Sequence, residues 1–333
     1  MNRFSITRAV MGGFPLVVLT DNERGLVLRV AERGATVVGI EVPLAGGTFQ
    51  VADGFHDEAE LAAGKSARFA IMAPFANRIA DGRYRFDGTG YDMQPGVTVD
   101  RGVRHGFLRT ADFDVVDEFV GEDSVSVAFF SGSIRPGVHE GYPFAIDTTI
   151  RFTLDAGGIT LQATLRNVGD GDAPCFFGWH PYFRMPNGLV DDWLLQVDAA
   201  SLVRTDAGTI PLPGSDAFAP LDKADPSLDF RSMRAIGATQ IDKAYAQLQA
   251  EGDGRARMRL RDPKGALEVC VWQTDGVGLV FTGDTVPREP RTSVAMEPME
   301  ALTNAFNRDD SADRVRLAAG TERSFTCGVE LAW

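Results

Sequence analysis

The chain has only four histidines, His56, His105, His139 and His180, and two of them stand where proton transfer would be useful. His180 lies in Phe176-Phe-Gly-Trp-His-Pro-Tyr-Phe183, a box of aromatic rings holding one ionisable group. Aromatic faces stack on the C–H faces of sugars and exclude water, which makes Trp179 and Tyr182 candidate binding residues. Core aromatics are common, so both rings can equally be read as packing. His105 lies in Arg104-His-Gly-Phe-Leu-Arg109, where the glycine would let the backbone approach a ligand closely. His56 and His139 fall in polar, loop-like stretches. A third site is Val294-Ala-Met-Glu-Pro-Met-Glu300, in which Glu297 closes an apolar run and is expected at a strand end facing inward. Burial would raise its pKa and make it a better base near neutral pH. An imidazole, with an unperturbed pKa of about 6.5, can give and take protons in the same range.

These groups need a frame, and the frame reads as β. Turn signals are frequent and helical periodicity is nearly absent. Strand-like runs cover 26–30, 36–42, 113–119, 124–130, 145–154, 159–166, 194–197, 256–260, 267–273, 278–282 and 323–331. The apolar run from Val10 to Leu19 reads as a first strand followed by a turn. Arg78-Ile-Ala-Asp-Gly-Arg-Tyr-Arg-Phe-Asp-Gly88 places Asp-Gly at two turns, a hairpin signature. Helix candidates are 57–63 and 226–231. The Pro-, Asp- and Gly-rich stretch from Thr205 to Asp229 reads as a surface excursion, not a linker. Many short strands of this kind make an all-β fold, a large antiparallel β-sandwich of two broad sheets, in one domain over 1–333.

Composition narrows the partners. A net charge of -13 over 333 residues disfavours phosphate backbones, so nucleic acid is not expected. No apolar stretch is long enough to span a bilayer, and no membrane partner is expected. Three widely spaced cysteines do not read as a disulfide framework and suit a reducing, cytoplasmic location. No metal-ligand cluster or phosphate loop stands out, and no cofactor is expected. Nothing fixes a monomer or a homodimer.

Five segments in order resemble the aldose 1-epimerase (galactose mutarotase) family. They are Pro74-Phe-Ala-Asn-Arg-Ile-Ala-Asp-Gly82, Arg104-His-Gly-Phe107, Gly178-Trp-His-Pro-Tyr-Phe183, Ile241-Asp242, and Glu297-Pro298 with Asn304-Ala-Phe-Asn307. The resemblance implies a large antiparallel sandwich, a small sugar as substrate and no cofactor. It implies His180 as the acid that protonates the ring oxygen and Glu297 as the base that takes the anomeric proton. His105 would orient the sugar near its ring oxygen, with Asn77, Arg78 and Asp242 binding hydroxyls. The match departs from the galactose-specific pattern, which usually reads Asn-His-Ser-Tyr-Phe-Asn around the histidine. Here Trp179, Pro181 and Arg184 replace flanking polar residues, Met299 stands for a common glutamine, and Lys243 for a histidine. Arg78, Arg104, Arg109 and Arg184 lie in or beside the matched motifs, and guanidinium forks suit phosphate. A hexose 6-phosphate is therefore the alternative substrate, and a non-catalytic carbohydrate-binding protein the alternative class.

Overall fold

The structure, a computed structural model, describes residues 2–97 and 102–333. Two broad antiparallel sheets of nine and eight strands dominate it. The nine-stranded sheet contains the long strands Ser124–Ile134, Ile146–Asp155, Gly158–Asn167 and Glu322–Ala332. Ile146–Asp155 alternates buried and half-exposed residues along its length. That period of two marks a sheet with one face on the core. The eight-stranded sheet contains Ala70–Met72, Gly178–His180, Asp242–Leu248, Val277–Phe281 and Val294–Met299. Apolar side chains of both sheets join one large buried cluster.

A five-stranded meander, Phe4 to Gln50, adds a third sheet beyond the two expected. Its start corrects the reading of Val10–Leu19 as one strand. Phe4–Met11 and Phe14–Asp21 are separate antiparallel strands, with Met11 opposite Phe14. The chain reverses at Gly12, where φ is 58°. The expected Arg78–Gly88 hairpin is half right. Asp81-Gly82 forms a 3-10 turn, while Asp87-Gly88 closes the hairpin of Arg83–Phe86 with Thr89–Asp92. Both turn residues have positive φ, as a two-residue type I′ turn requires.

The helix Glu58–Ala63 forms where expected, its first turn capped by the Asp57 carboxylate and its end by Gly64. The second candidate gives only a 3-10 turn, Pro226–Leu228. Its one good helical feature is the start, Asp225 before a proline; nothing beyond offers an apolar stripe to bury. The stretch 205–229 folds back on the eight-stranded sheet through the short strand Phe218–Pro220.

Candidate active site

Strand parity separates the chemistry from the core. Trp179 and His180 are neighbours on Gly178–His180, so their side chains leave opposite faces of the sheet. Trp179 is fully buried and meets Phe69 and Phe152 edge-on, with centroids 5.7 and 6.4 Å away. Phe152 belongs to the nine-stranded sheet, so Trp179 is intersheet packing. Its ring does not line the cavity, which corrects its assignment to sugar binding. His180 points the other way, beside Glu297 of Val294–Met299, with Nε2 3.2 Å from Oε1. Antiparallel partners directly opposite share a face, and Glu297 stands opposite Leu279 while Asp242 stands opposite Phe281. Asp242, Phe281, Glu297, His180 and Tyr182 thus line one cavity of about 250 Å³ on the outer face of the sheet. Most ligand pockets enclose about 300–1,000 Å³, so this one suits a small molecule.

Loops supply the rest of the wall. Arg78 bridges to Arg104, and the His105 N–H donates to the Asn77 carbonyl at 2.8 Å. Asn77 and His105 both have positive φ, 55° and 62°. Gly106 follows at φ 62°, and a Cβ there would lie 2.1 Å from the Ala73 carbonyl oxygen. The glycine therefore admits a close approach of backbone to backbone, not to a ligand as the sequence suggested. Asn304 holds the Arg78 segment from behind: its Oδ1 accepts from the Ala80 N–H, and its own N–H donates to the Arg78 carbonyl. Ser66, Ala67, Thr285, Val286 and Pro287 complete the wall. Sequence reasoning did not find these five. Phe281 was also missed, although its alternation with Leu279 on an expected strand could have placed it.

The electrostatics concentrate on the His180–Glu297 pair. Glu297 is 1% and His180 5% exposed. Burial pushes the Glu297 carboxyl well above its ordinary range, helped by Asp242 and opposed by Arg78. Burial pushes His180 down to about 3, opposed by its own backbone and helped by Arg68. Both directions favour one shared proton carried on the carboxyl, with a neutral imidazole beside it. Glu297 Oε2 and His180 Nδ1 are buried without hydrogen-bond partners. Such atoms are costly unless a ligand satisfies them. His105 is half-buried, its Nδ1 2.9 Å from the Met72 sulfur and its ring edge-on to His180 at 5.1 Å. Burial, then His180 and the arginines at positions 109, 78 and 104, hold it well below its ordinary pKa.

Behind His180 the Tyr182 ring stacks nearly parallel at 4.9 Å, with the Arg68 guanidinium 5.1 Å from the Tyr182 centroid. Arg68 is buried and paired with the buried Asp53. Asp53 also takes Arg184 at 2.9 Å and the Ser293 hydroxyl at 2.6 Å. Arg184 is thus committed to Asp53 and Glu289 and drops out of the set of arginines expected at the cavity. Arg78, Arg104 and Arg109 remain in it.

Residues 15–330 match the family described as aldose 1-epimerase. The chain belongs to the aldose 1-epimerase family. It is similar to the aldose 1-epimerase of Escherichia coli K12, with 28% identity over 73% of this chain and 71% of the other. It is 31% identical to the uncharacterised YphB of the same organism, over 79% of this chain and 83% of that one. A galactose mutarotase-like protein from Clostridium acetobutylicum has the same fold, with a TM-score of 0.83 at 12% identity, covering 99% of both chains. The expected all-β, mutarotase-like architecture is therefore the observed one. As a member of the aldose 1-epimerases the protein is an isomerase acting on carbohydrate.

Proposed function

We propose that this protein is a mutarotase that interconverts the α and β anomers of a hexose, with Glu297 and His180 as its proton-transfer pair. The contact between the two side chains carries the reading. Opening a cyclic hemiacetal removes a proton from O1 and adds one to the ring oxygen. Both oxygens hang from C1, so the groups that serve them must be neighbours. A carboxyl and an imidazole in contact at the floor of a small cavity meet that demand.

The reaction also needs one mobile proton in the pair. With Glu297 ionised and His180 protonated, the carboxylate takes the O1 proton as the imidazolium gives its own to the ring oxygen. The pair is then a neutral carboxyl beside a neutral imidazole, the form that burial favours. The aldehyde turns about C1–C2, and closure on its other face runs both transfers backwards. Sugar hydroxyls, together with Arg78, supply the polar contacts that make the ionised form accessible. His105, held neutral, serves as a hydrogen-bonding partner near the ring oxygen. Asn77, Arg78 and Asp242 bind hydroxyls, and Tyr182 backs the His180 ring. A cytoplasmic location belongs to the proposal, supported by three buried cysteines, all free thiols.

The test is polarimetry of freshly dissolved α-D-glucose and α-D-galactose with the protein, His180→Asn and Glu297→Gln. Acceleration over the spontaneous rate should fall by ~10²–10⁴-fold in each variant. Binding of sugar with exchange left at the spontaneous rate would refute the enzyme reading and leave a carbohydrate-binding protein. Cleavage of aryl glycosides would refute it in favour of a hydrolase.

A further inference from the structure

Two segments of the cavity wall converge on one buried carboxylate that does not itself line the cavity. One segment is Ser66-Ala67, the other Thr285-Val286-Pro287. Each is followed directly by an arginine, Arg68 or Arg288, and both guanidiniums reach Asp53. Arg68 Nη1 donates to the Asp53 carboxylate and, at 2.9 Å, to the Asp53 carbonyl. Arg288 Nη2 lies 3.3 Å from the Asp53 carboxylate and donates to the Gly54 carbonyl at 2.9 Å. Arg184 adds a third tie, joining Asp53 to Glu289, the residue after Arg288. Asp53 is in turn fixed to the strands that carry the His180–Glu297 pair. Its N–H donates to the Tyr182 carbonyl at 2.9 Å. Its carboxylate accepts from the hydroxyl of Ser293, one residue before the strand Val294–Met299, at 2.6 Å.

Both segments contain backbone that must be held in place. Ser66, Ala67 and Phe69 have φ of 56°, 51° and 51°, and Glu289 and Arg291 have 48° and 59°. Side chains of these types rarely adopt the left-handed region, and they stay there only where their surroundings over-determine them. Arg291 pins the far end of the second loop to Asp191 and Asp284. At the cavity end Arg288 does the holding, against Asp53 and, at 3.5 Å, Glu60. A buried ion cluster is a poor source of stability compared with apolar packing, so its use here is to fix geometry.

We propose that Asp53 is a positioning residue for the reaction: through Arg68 and Arg288 it clamps both wall segments onto the sheet and keeps the cavity shaped around the sugar. This rests on the mutarotase reading above. The clamped walls touch the sugar and not the proton-transfer pair. Their loosening would weaken ground state and transition state alike, which raises KM and leaves kcat nearly unchanged.

The test compares the parent with Asp53→Asn, Arg288→Met and Arg288→Lys. Anomer exchange of glucose and galactose is followed by NMR, and amide hydrogen exchange by mass spectrometry on the same preparations. Arg288 is half-buried, so its variants keep the test open should Asp53→Asn fail to fold. In Arg288→Met, kcat/KM should fall about 10- to 100-fold, the scale on which a displacement of about 1 Å acts, with most of the loss in KM. Amide exchange should quicken in 283–291 and stay at the parent's level in the nine-stranded sheet. Arg288→Lys keeps a cation facing Asp53 and should recover part of the loss. Asp53→Asn should raise KM further and quicken exchange in 64–69 as well. A KM unchanged in Arg288→Met, or exchange quickened evenly along the chain, would overturn this proposal and leave the mutarotase standing. No acceleration of either sugar by the parent would overturn both.

Discussion

Replacing Glu297 by glutamine should make the protein a poorer catalyst and a more stable fold, with the gain in stability growing as pH rises. The side chain is 1% exposed, and burial together with Asp242 raises its carboxyl well above the ordinary 4.5. A group whose folded pKa exceeds its unfolded one contributes stability that is full below the unfolded value. That contribution is lost as pH rises through the folded value. The parent therefore loses stability from Glu297 as pH climbs above 4.5. Glutamine keeps the shape and does not titrate, so the variant escapes the loss. The ceiling is about 1.4 kcal/mol per pH unit crossed, and a net gain of about 1–3 kcal/mol between pH 5 and pH 8 is expected. His180 works in the other direction. Its pKa falls from 6.5 to about 3, so its contribution is full above 6.5 and is lost as pH drops toward 3. The difference between the two melting curves at each pH removes most of that shared background. Thermal melts at pH 5, 6, 7 and 8, with polarimetric rates at each, make the assay. The rate should fall by ~10²–10⁴-fold, about 2.7–5.5 kcal/mol of barrier. A melting difference that stays flat or shrinks as pH rises would mean that Glu297 is ionised in the folded protein, and the argument from burial would fail.

Two further substitutions test the frame. Gly106→Ala puts a Cβ 2.1 Å from the Ala73 carbonyl oxygen at a φ of 62°, so the His105 loop must shift. A loss of stability of at least about 1 kcal/mol is expected, with a fall in kcat that melts and kinetics on one sample would separate. Trp179→Phe removes volume between the two sheets, far side to the cavity. It should cost about 1–3 kcal/mol by denaturant titration and leave KM for the sugar unchanged, whereas a raised KM would restore Trp179 to the binding site.

Much of the frame was legible because long strands write their period into the sequence. The alternation in 145–154 and 159–166 matches two paired strands of the nine-stranded sheet. The N-terminal hairpin was misread because Phe14–Asp21 is almost continuously apolar, a pattern that hides where one strand stops. Gly12-Gly13 was the visible signal, read as an interruption when it was a reversal. The second Asp-Gly pair made its hairpin, while the first became a 3-10 turn held against Asn304, a partner more than two hundred residues away. No local pattern encodes such a contact. At the site, His180, Glu297, His105, Asn77, Arg78, Asp242 and Tyr182 are brought together around one cavity. Trp179 is not, and parity alone decides it.

That parity explains how the sandwich divides its labour. A strand between two sheets must present apolar side chains inward, so polar chemistry can leave only through the outer face. Gly178-Trp-His does both in three residues: the indole fills the core while the imidazole faces out. An outward imidazole would ordinarily be wet. Here His180 and Glu297 are buried because the loops carrying Ser66, Asn77, His105 and Pro287 fold over them. The His180–Glu297 pair is thus fixed by the sheet, whose strands cannot shift without disturbing the core. Other groups of the cavity wall, Arg104 and Arg109 among them, sit on the covering loops. Loop residues can change without moving His180 or Glu297. The departures around Trp179, Arg184 and Met299 do not belong to that changing set: Trp179 and Met299 are buried in the core, and Arg184 serves Asp53. Substrate preference in this protein should therefore follow exchanges in the 104–109 loop more closely than exchanges in the histidine box.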